Sequence, residues 1–146
     1  MSKSNTFEND LLLLLFNNTN IANVGDATGV RGSSTAGSLY LSLHTGDPGE
    51  AGDQTTNEIS YTGYARKAVA RSGSGFTVSG NSVVLAADND FGKMTAGAGG
   101  TVTYFAVGTA SSGTGKILYS GAVSPTIAVS TGTIPRLEAA TSVTED

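Results

Sequence analysis

From Ser38 to His44 leucine recurs at every second position, Leu39, Leu41 and Leu43 alternating with Tyr40, Ser42 and His44. A period of two puts alternate side chains on opposite faces of an extended chain, so this run specifies a strand with one core face and one semi-polar face. It ends at Thr45-Gly46-Asp47-Pro48-Gly49. There proline presets φ and glycine supplies positive φ, which is a strong turn signal. The same alternation of short apolar runs and Gly, Ser, Thr or Asn breaks continues down the chain. It predicts strands at 64–71, 75–79, 82–86, 101–108, 116–119, 126–130 and 134–137. Ser79-Gly80-Asn81 reads as a tight hairpin turn. Seven or eight short antiparallel strands make the expected fold mainly all-β, a β-sandwich or jelly roll.

The N-terminal region follows a different pattern. Leu11 to Leu15 and Phe16 form an unbroken apolar run preceded by Glu8 and Asp10. Leucine is a good helix former and is not β-branched, so a short helix is preferred over a strand. It is expected to start from a cap at Asn5 or Thr6 and to run to about Asn17, with the two acids near the positive end of its dipole. A helix apolar on every side must be buried all round, against the sheet or a neighbouring subunit. The run is far too short for a membrane span, and the acids before it do not suit a signal peptide. Residues 17–37 read as a long glycine-punctuated loop, with room for one short strand around Ile21 to Val24. Residues 45–63 read as a second long, polar loop that is expected to touch a partner. A chain of 146 residues is expected to form one domain spanning 1–146, with residues 1–37 as helix plus loop.

The side chains available limit the chemistry. There is no cysteine, so thiolate nucleophiles, thiolate metal sites and disulfides are excluded. The net charge is −4 and the basic residues are scattered, which argues against nucleic acid or an anionic membrane as partner. The single histidine, His44, has Ser42 and Asp47 close by in sequence, the residue types of a catalytic triad. Serine is common throughout the chain, so a hydrogen-bonded structural histidine is preferred. Gly108 to Ile117 superficially resembles a phosphate-binding loop, but Thr114 and Gly115 precede Lys116, and Ile117 replaces the required hydroxyl. Asp47, Glu50 and Asp53, and the smaller group Asp88-Asn89-Asp90, read as solvated turns rather than calcium ligands. With no tryptophan a sugar-stacking cleft is poorly supplied. No catalytic residue, cofactor or metal site is expected.

Several segments carry a family resemblance. Ser38 to Gly49 resembles the "LYLSLHTADPG" segment of a widespread family of small tailed-phage virion proteins. Asn57-Glu58 and Tyr61-Thr62-Gly63-Tyr64-Ala65-Arg66 match its "NE…YTGYAR" stretch. Tyr104 to Ala110 and Gly115 to Gly121 look like its "HFGVGTA…GKLLYSGAL" block. Together with the leading helix, the likeness covers roughly residues 8–125. The chain departs from the pattern at Gly46, where alanine is usual, at Lys67 and across 85–95.

The resemblance implies a non-enzymatic virion protein assembled in the bacterial host cytoplasm. The favoured reading is a capsid decoration (cement) protein on the capsid surface, bound to the phage major capsid protein. The alternative is a tail-fibre, spike or other tail-associated module. It further implies a homo-oligomer, with a trimer favoured. On this reading the expected contact residues are Leu11, Leu13, Leu14 and Phe16 of the helix, Asp47, Pro48, Glu50 and Asp53 of the second loop, and Tyr61 and Tyr64.

Overall fold

In a computed structural model that describes residues 2–145, the chain is mainly β, with antiparallel sheets and one short N-terminal helix. The helix α1 spans Asn5–Asn17. Nine strands follow among the described residues: β1 Ser38–His44, β2 Lys67–Ala70, β3 Phe76–Ser79, β4 Ser82–Leu85, β5 Asn89–Asp90, β6 Gly100–Gly108, β7 Ile117–Val129, β8 Arg136–Leu137 and β9 Ser142–Thr144. No helix among the described residues is long and apolar enough to cross a membrane.

The chain divides into two compact units. One comprises the segment up to Ser38, Val69–Asp88 and the segment from Glu138; the other comprises Leu39–Ala68 and Asn89–Leu137.

In the first unit α1 lies against the hairpin β3–β4, to which β9 adds as a third antiparallel strand. The hairpin register Ser79↔Ser82 leaves Gly80 and Asn81 as a two-residue turn, with Gly80 in the left-handed region. The helix begins one or two residues earlier than expected. Ser4 is the N-cap, its side chain accepting the Phe7 N–H. Nor is the helix buried all round. Glu8, Leu12 and Phe16 lie on one buried stripe, while Leu11, Leu13, Leu14 and Leu15 are half-buried and Phe7 is exposed. A three-stranded sheet can cover only one side of a helix, so the leucine run is wider than the surface available to bury it. Phe16 meets Phe76 edge-on, with ring centroids 4.9 Å apart. No basic residue occupies the last turn of α1. Instead Arg71 reaches back to the carbonyls of Leu14 and Leu15, both at 2.6 Å. In the following loop Ile21 and Val30 form an isolated bridge, a remnant of the short strand expected there. Gly29 stands where any Cβ would collide with the Ile21 carbonyl.

The second unit is built on a four-stranded sheet ordered β2-β1-β6-β7, with β2 running on into the first unit. β1 ends where expected, but both of its faces are covered: from Leu41 to His44 every residue is buried. Ser42 and His44 therefore lie inside the protein, not on a semi-polar outer face. The strands expected at 116–119 and 126–130 are one long strand, β7, with a register shift against β6 between Val102 and Tyr104. That irregularity lets the strand run past Pro125 without an N–H to donate there. The two-residue strands β5 and β8 pair with each other, Asn89 opposite Leu137. Neither β5 nor β9 is evident in the sequence, because two or three residues are too few to show a period.

Candidate functional site

Six polar side chains of the second unit, Ser42, His44, Gln54, Glu58, Tyr64 and Arg66, converge around the end of β1, and their packing determines what this region can do. His44 is fully buried, and its Nδ1 lies 2.8 Å from the Thr56 carbonyl. A carbonyl only accepts, so Nδ1 carries the proton. In the neutral ring Nε2 must then accept, and Ser42 Oγ donates to it at 2.9 Å. Burial pushes the His44 pKa down, and the Thr56 hydrogen bond offsets this only in part. The pair has the form of a nucleophile and its base. However, both residues are completely inaccessible, and a backbone carbonyl holds the imidazole where a triad places a carboxylate.

Beyond Thr56, in the loop that re-crosses β1, Glu58 accepts from Arg66 twice. Arg66 Nε reaches Oε1 at 2.7 Å and Nη2 reaches Oε2 at 2.7 Å. This bidentate fork is nearly dry, with the Arg66 side chain 3% exposed and that of Glu58 15%. The remaining guanidinium donors reach the carbonyls of Ala110 and Gly113 at 3.1 and 2.8 Å. Tyr64 joins from the side. Its hydroxyl donates to Glu58 at 2.9 Å and accepts the Leu43 N–H at 3.1 Å, and burial pushes its pKa well above the usual phenol range. The Glu58 hydrogen bonds push the Arg66 pKa up as well.

Gln54 completes the network. It is fully buried; its amide oxygen accepts from Ala110 N–H at 3.0 Å and its backbone N–H donates to Gly115 at 2.9 Å. Its Nε2 donates to the Tyr40 carbonyl at 3.3 Å. Gly108 and Gly115 flank it, and a Cβ at either position would strike the glutamine side chain. The loop 109–116, which looks like a phosphate cradle in sequence, is thus spent on Arg66 and Gln54. The loop expected to reach a partner, 45–63, is anchored to its own unit by Pro48, Gln54, Ile59 and Tyr61, while ten of its 19 residues are exposed.

A groove of about 390 Å³ stays open, lined by Asp47, Gly49, Glu50 and Gly52 on one side and Ile117 to Ser120 of β7 on the other. The acids serve local geometry. Asp47 accepts from Gly49 N–H at 2.9 Å, and Asp53 accepts from Thr55 N–H and Oγ1, which lowers its pKa. In the second acidic group Asp90 pairs with Arg136 and Asp88 accepts from Ala139 N–H. Among the described residues no three His, Asp or Glu side chains come together to hold a metal ion.

The residues expected to make contacts are divided between the two units. Phe16, Pro48 and Tyr61 are buried, Tyr64 is half-buried within the Glu58 network, and Asp53 is half-buried. Asp47 and Glu50 are exposed on the groove rim, while Leu11, Leu13 and Leu14 are half-buried on α1 in the other unit. Sequence reasoning assigned no role to Gln54, Glu58 or Arg66. The available signal was the family-like run "NE…YTGYAR", whose glutamate, second tyrosine and arginine are the three members of one hydrogen-bonded cluster.

The family model described as "Podophage GP4 fiber I protein gp80" matches residues 2–144. No curated protein matches the chain.

Proposed function

The chain belongs to the podophage GP4 fiber I protein family and is a structural protein of a tailed phage, and from that premise we propose that it is a tail-associated fibre module that works by surface contact rather than by chemistry. The observation that carries this reading is the family match, which runs over nearly the whole length of the chain and is described as a fibre protein. The fold supports it physically. The histidine and the nearly dry Glu58–Arg66 pair are held by internal hydrogen bonds, which brace the unit rather than face a substrate. A unit braced by a buried hydrogen-bonded network, with a groove open beside β7, suits a part that must hold its shape while bound to neighbours. The capsid-surface reading has no observation of its own in this fold.

Immunogold labelling of intact particles, with the copy number per particle from quantitative mass spectrometry, tests the proposal. Label confined to the tail, at a copy number close to that of other fibre proteins, is the expected result. Uniform label over the head, at a copy number close to that of the major capsid protein, would replace this reading with the decoration one. A hydrolytic activity on host glycans lost with the Asp47 and Glu50 carboxylates would contradict the non-enzymatic part.

A further inference from the structure

The loop after α1 holds a small finger, residues 22–29, closed at its neck by the Ile21–Val30 bridge, whose two N–H···O bonds are both 2.9 Å. Every residue from 22 to 28 is exposed, yet the finger is firmly held. Asp26 Oδ1 accepts from Thr28 N–H, Thr28 Oγ1 and Gly29 N–H. Below the neck the Asn18 side chain exchanges two hydrogen bonds with the Ser33 main chain, and Asn20 accepts from Gly32 N–H. A loop fixed in advance loses little conformational freedom when it docks. This order does not serve to bury the apolar side chains: Val24 is 47% exposed and Val30, at the neck, 41%. Arg31 follows them, also exposed, and pairs with no carboxylate among the described residues.

We propose that this finger docks into the groove beside β7 of a second copy of the chain. The two surfaces are complementary in kind. The groove, about 390 Å³, sets the exposed carboxylates of Asp47 and Glu50 against the half-buried aliphatic wall of Ile117 and Leu118. Such a site suits an apolar side chain with a cation next to it, and the finger and its neck supply Val24, Val30 and Arg31. Glu50 has no partner among the described residues, and Asp47 gives one oxygen to Gly49 N–H and keeps the other, so both carboxylates are open to a guanidinium. A second pair of opposite sign belongs to the same two surfaces, Asp26 on the finger and exposed Lys116, next to Ile117 in the chain. This double match selects a copy of the chain as the occupant. A wholly basic segment would satisfy the acids but meet Lys116 as a like charge. Copies with a net charge of −4 repel one another at long range, so the contact rests on these short-range pairs and is weak. Finger and groove are different surfaces, so the contact is head-to-tail, and the assembly closes into a ring or runs on as a filament. The inference stands apart from the location of the protein on the particle.

Sedimentation velocity on the full chain over a concentration series, with far-UV circular dichroism as the fold control, tests it. The wild type is expected to self-associate reversibly, with a dissociation constant on the order of 100 micromolar or tighter. Added salt should weaken the association, because exposed pairs are screened. Arg31→Glu and Glu50→Lys are each expected to weaken it at least about tenfold with an unchanged dichroism spectrum. The double variant Arg31→Glu/Glu50→Lys restores opposite charges across the contact and should associate more tightly than either single variant. Ile134→Ser changes an exposed apolar residue outside both surfaces and should leave association unaltered. A wild type that stays monomeric, a single variant that associates as the wild type does, a double variant no better than the single ones, or an equal loss with Ile134→Ser would each overturn the proposal. If a variant unfolds, the salt series on the wild type still decides: association that holds or strengthens as salt rises would overturn it.

Discussion

Each unit of the molecule is organised around one arginine, and the two arginines do different work. Arg71, in the first unit, is half-buried and donates to main-chain carbonyls at the end of α1. It completes a helix whose stability comes from Leu12, Phe16 and Phe76 packed inside. Arg66, in the second unit, is buried and holds a carboxylate in a two-point fork together with two loop carbonyls. The first arrangement is apolar packing with a polar finish. Many sequences of suitable size and hydrophobicity satisfy it, because packing responds to volume more than to identity. The second is a buried polar network, in which every donor needs its own acceptor and few substitutions are neutral. This difference accounts for where the family-like motifs fall: they crowd into the second unit, at Ser38 to Gly49, Asn57 to Arg66 and Tyr104 to Gly121.

The largest expected effect that would break this contrast comes from Arg66→Ala. Removing one partner of a buried pair leaves the Glu58 charge and the Ala110 and Gly113 carbonyls without their donors. The expected loss is about 3–5 kcal/mol. The probes are conveniently separated. All five tyrosines lie in the second unit, and the only helix among the described residues lies in the first. Near-UV dichroism and tyrosine fluorescence therefore report one unit, and ellipticity at the helix wavelength is dominated by the other. Urea unfolding of this variant should show the tyrosine signal lost at much lower denaturant. A loss below about 1 kcal/mol would show that the ion pair is dispensable and that apolar packing governs both units.

Exchanging each arginine for lysine sharpens the same comparison. Arg66→Lys keeps the charge but loses the fork and at least two charge-assisted hydrogen bonds, and is expected to cost about 1.5–3 kcal/mol. Arg71→Lys keeps a cation at a helix C-terminus, where a point charge suffices, and is expected to cost less than about 1 kcal/mol. Equal costs at the two positions would mean that the two arginines act alike.

Acid titration tests the second unit further. Burial holds the folded pKa of His44 below the unfolded value of 6.5. At mildly acid pH the unfolded chain therefore binds a proton that the folded chain refuses, and stability falls as pH drops below about 6.5. The slope from this one group is at most about 1.4 kcal/mol per pH unit. The carboxylates with lowered pKa, Asp26, Asp53 and Asp90, contribute only near and below their ordinary value of 3.8, so they leave the range between pH 6.5 and 4.5 to the histidine. The midpoint of urea unfolding should decline across that range in the wild type and stay nearly level in His44→Gln. A wild type with no decline would mean that His44 titrates as freely as in the unfolded chain.

The parts legible in the sequence were those with a long enough period. The alternation from Ser38 to His44 marks β1, the leucine run marks α1, and Ser79-Gly80-Asn81 marks a hairpin. What stayed hidden depends on tertiary partners. The period-two pattern could not reveal that Ser42 and His44 are as buried as the leucines between them, because the covering residues arrive from Gln54 to Glu58 in a loop. The break at 120–125 imitates a turn, yet the strand passes through it because a register shift absorbs the mismatch. Gln54 shows no pattern, and Arg66 only its place at the end of a family-like run; both reach carbonyls 44 to 61 residues away in the sequence. The Leu run misled for the opposite reason. Its hydrophobicity is real, but the surface that could bury it covers only one stripe.

The smallest effect belongs to the first unit and concerns Ser4. Its hydroxyl accepts the Phe7 N–H at 3.3 Å, a long bond at an exposed position. It relieves only one of the unsatisfied N–H groups in the first turn of α1. Glu8 also lies in that turn and favours the helix dipole without help from the cap. Ser4→Ala is therefore expected to cost about 0.5 kcal/mol, the low end of the range for N-caps. The change should appear as slightly earlier fraying of the helix signal on heating, with the tyrosine signal unmoved. A cost near 2 kcal/mol would mean that α1 depends on its cap more than on the Leu12–Phe16 stripe, and the first unit would then rest on specific polar contacts as the second does.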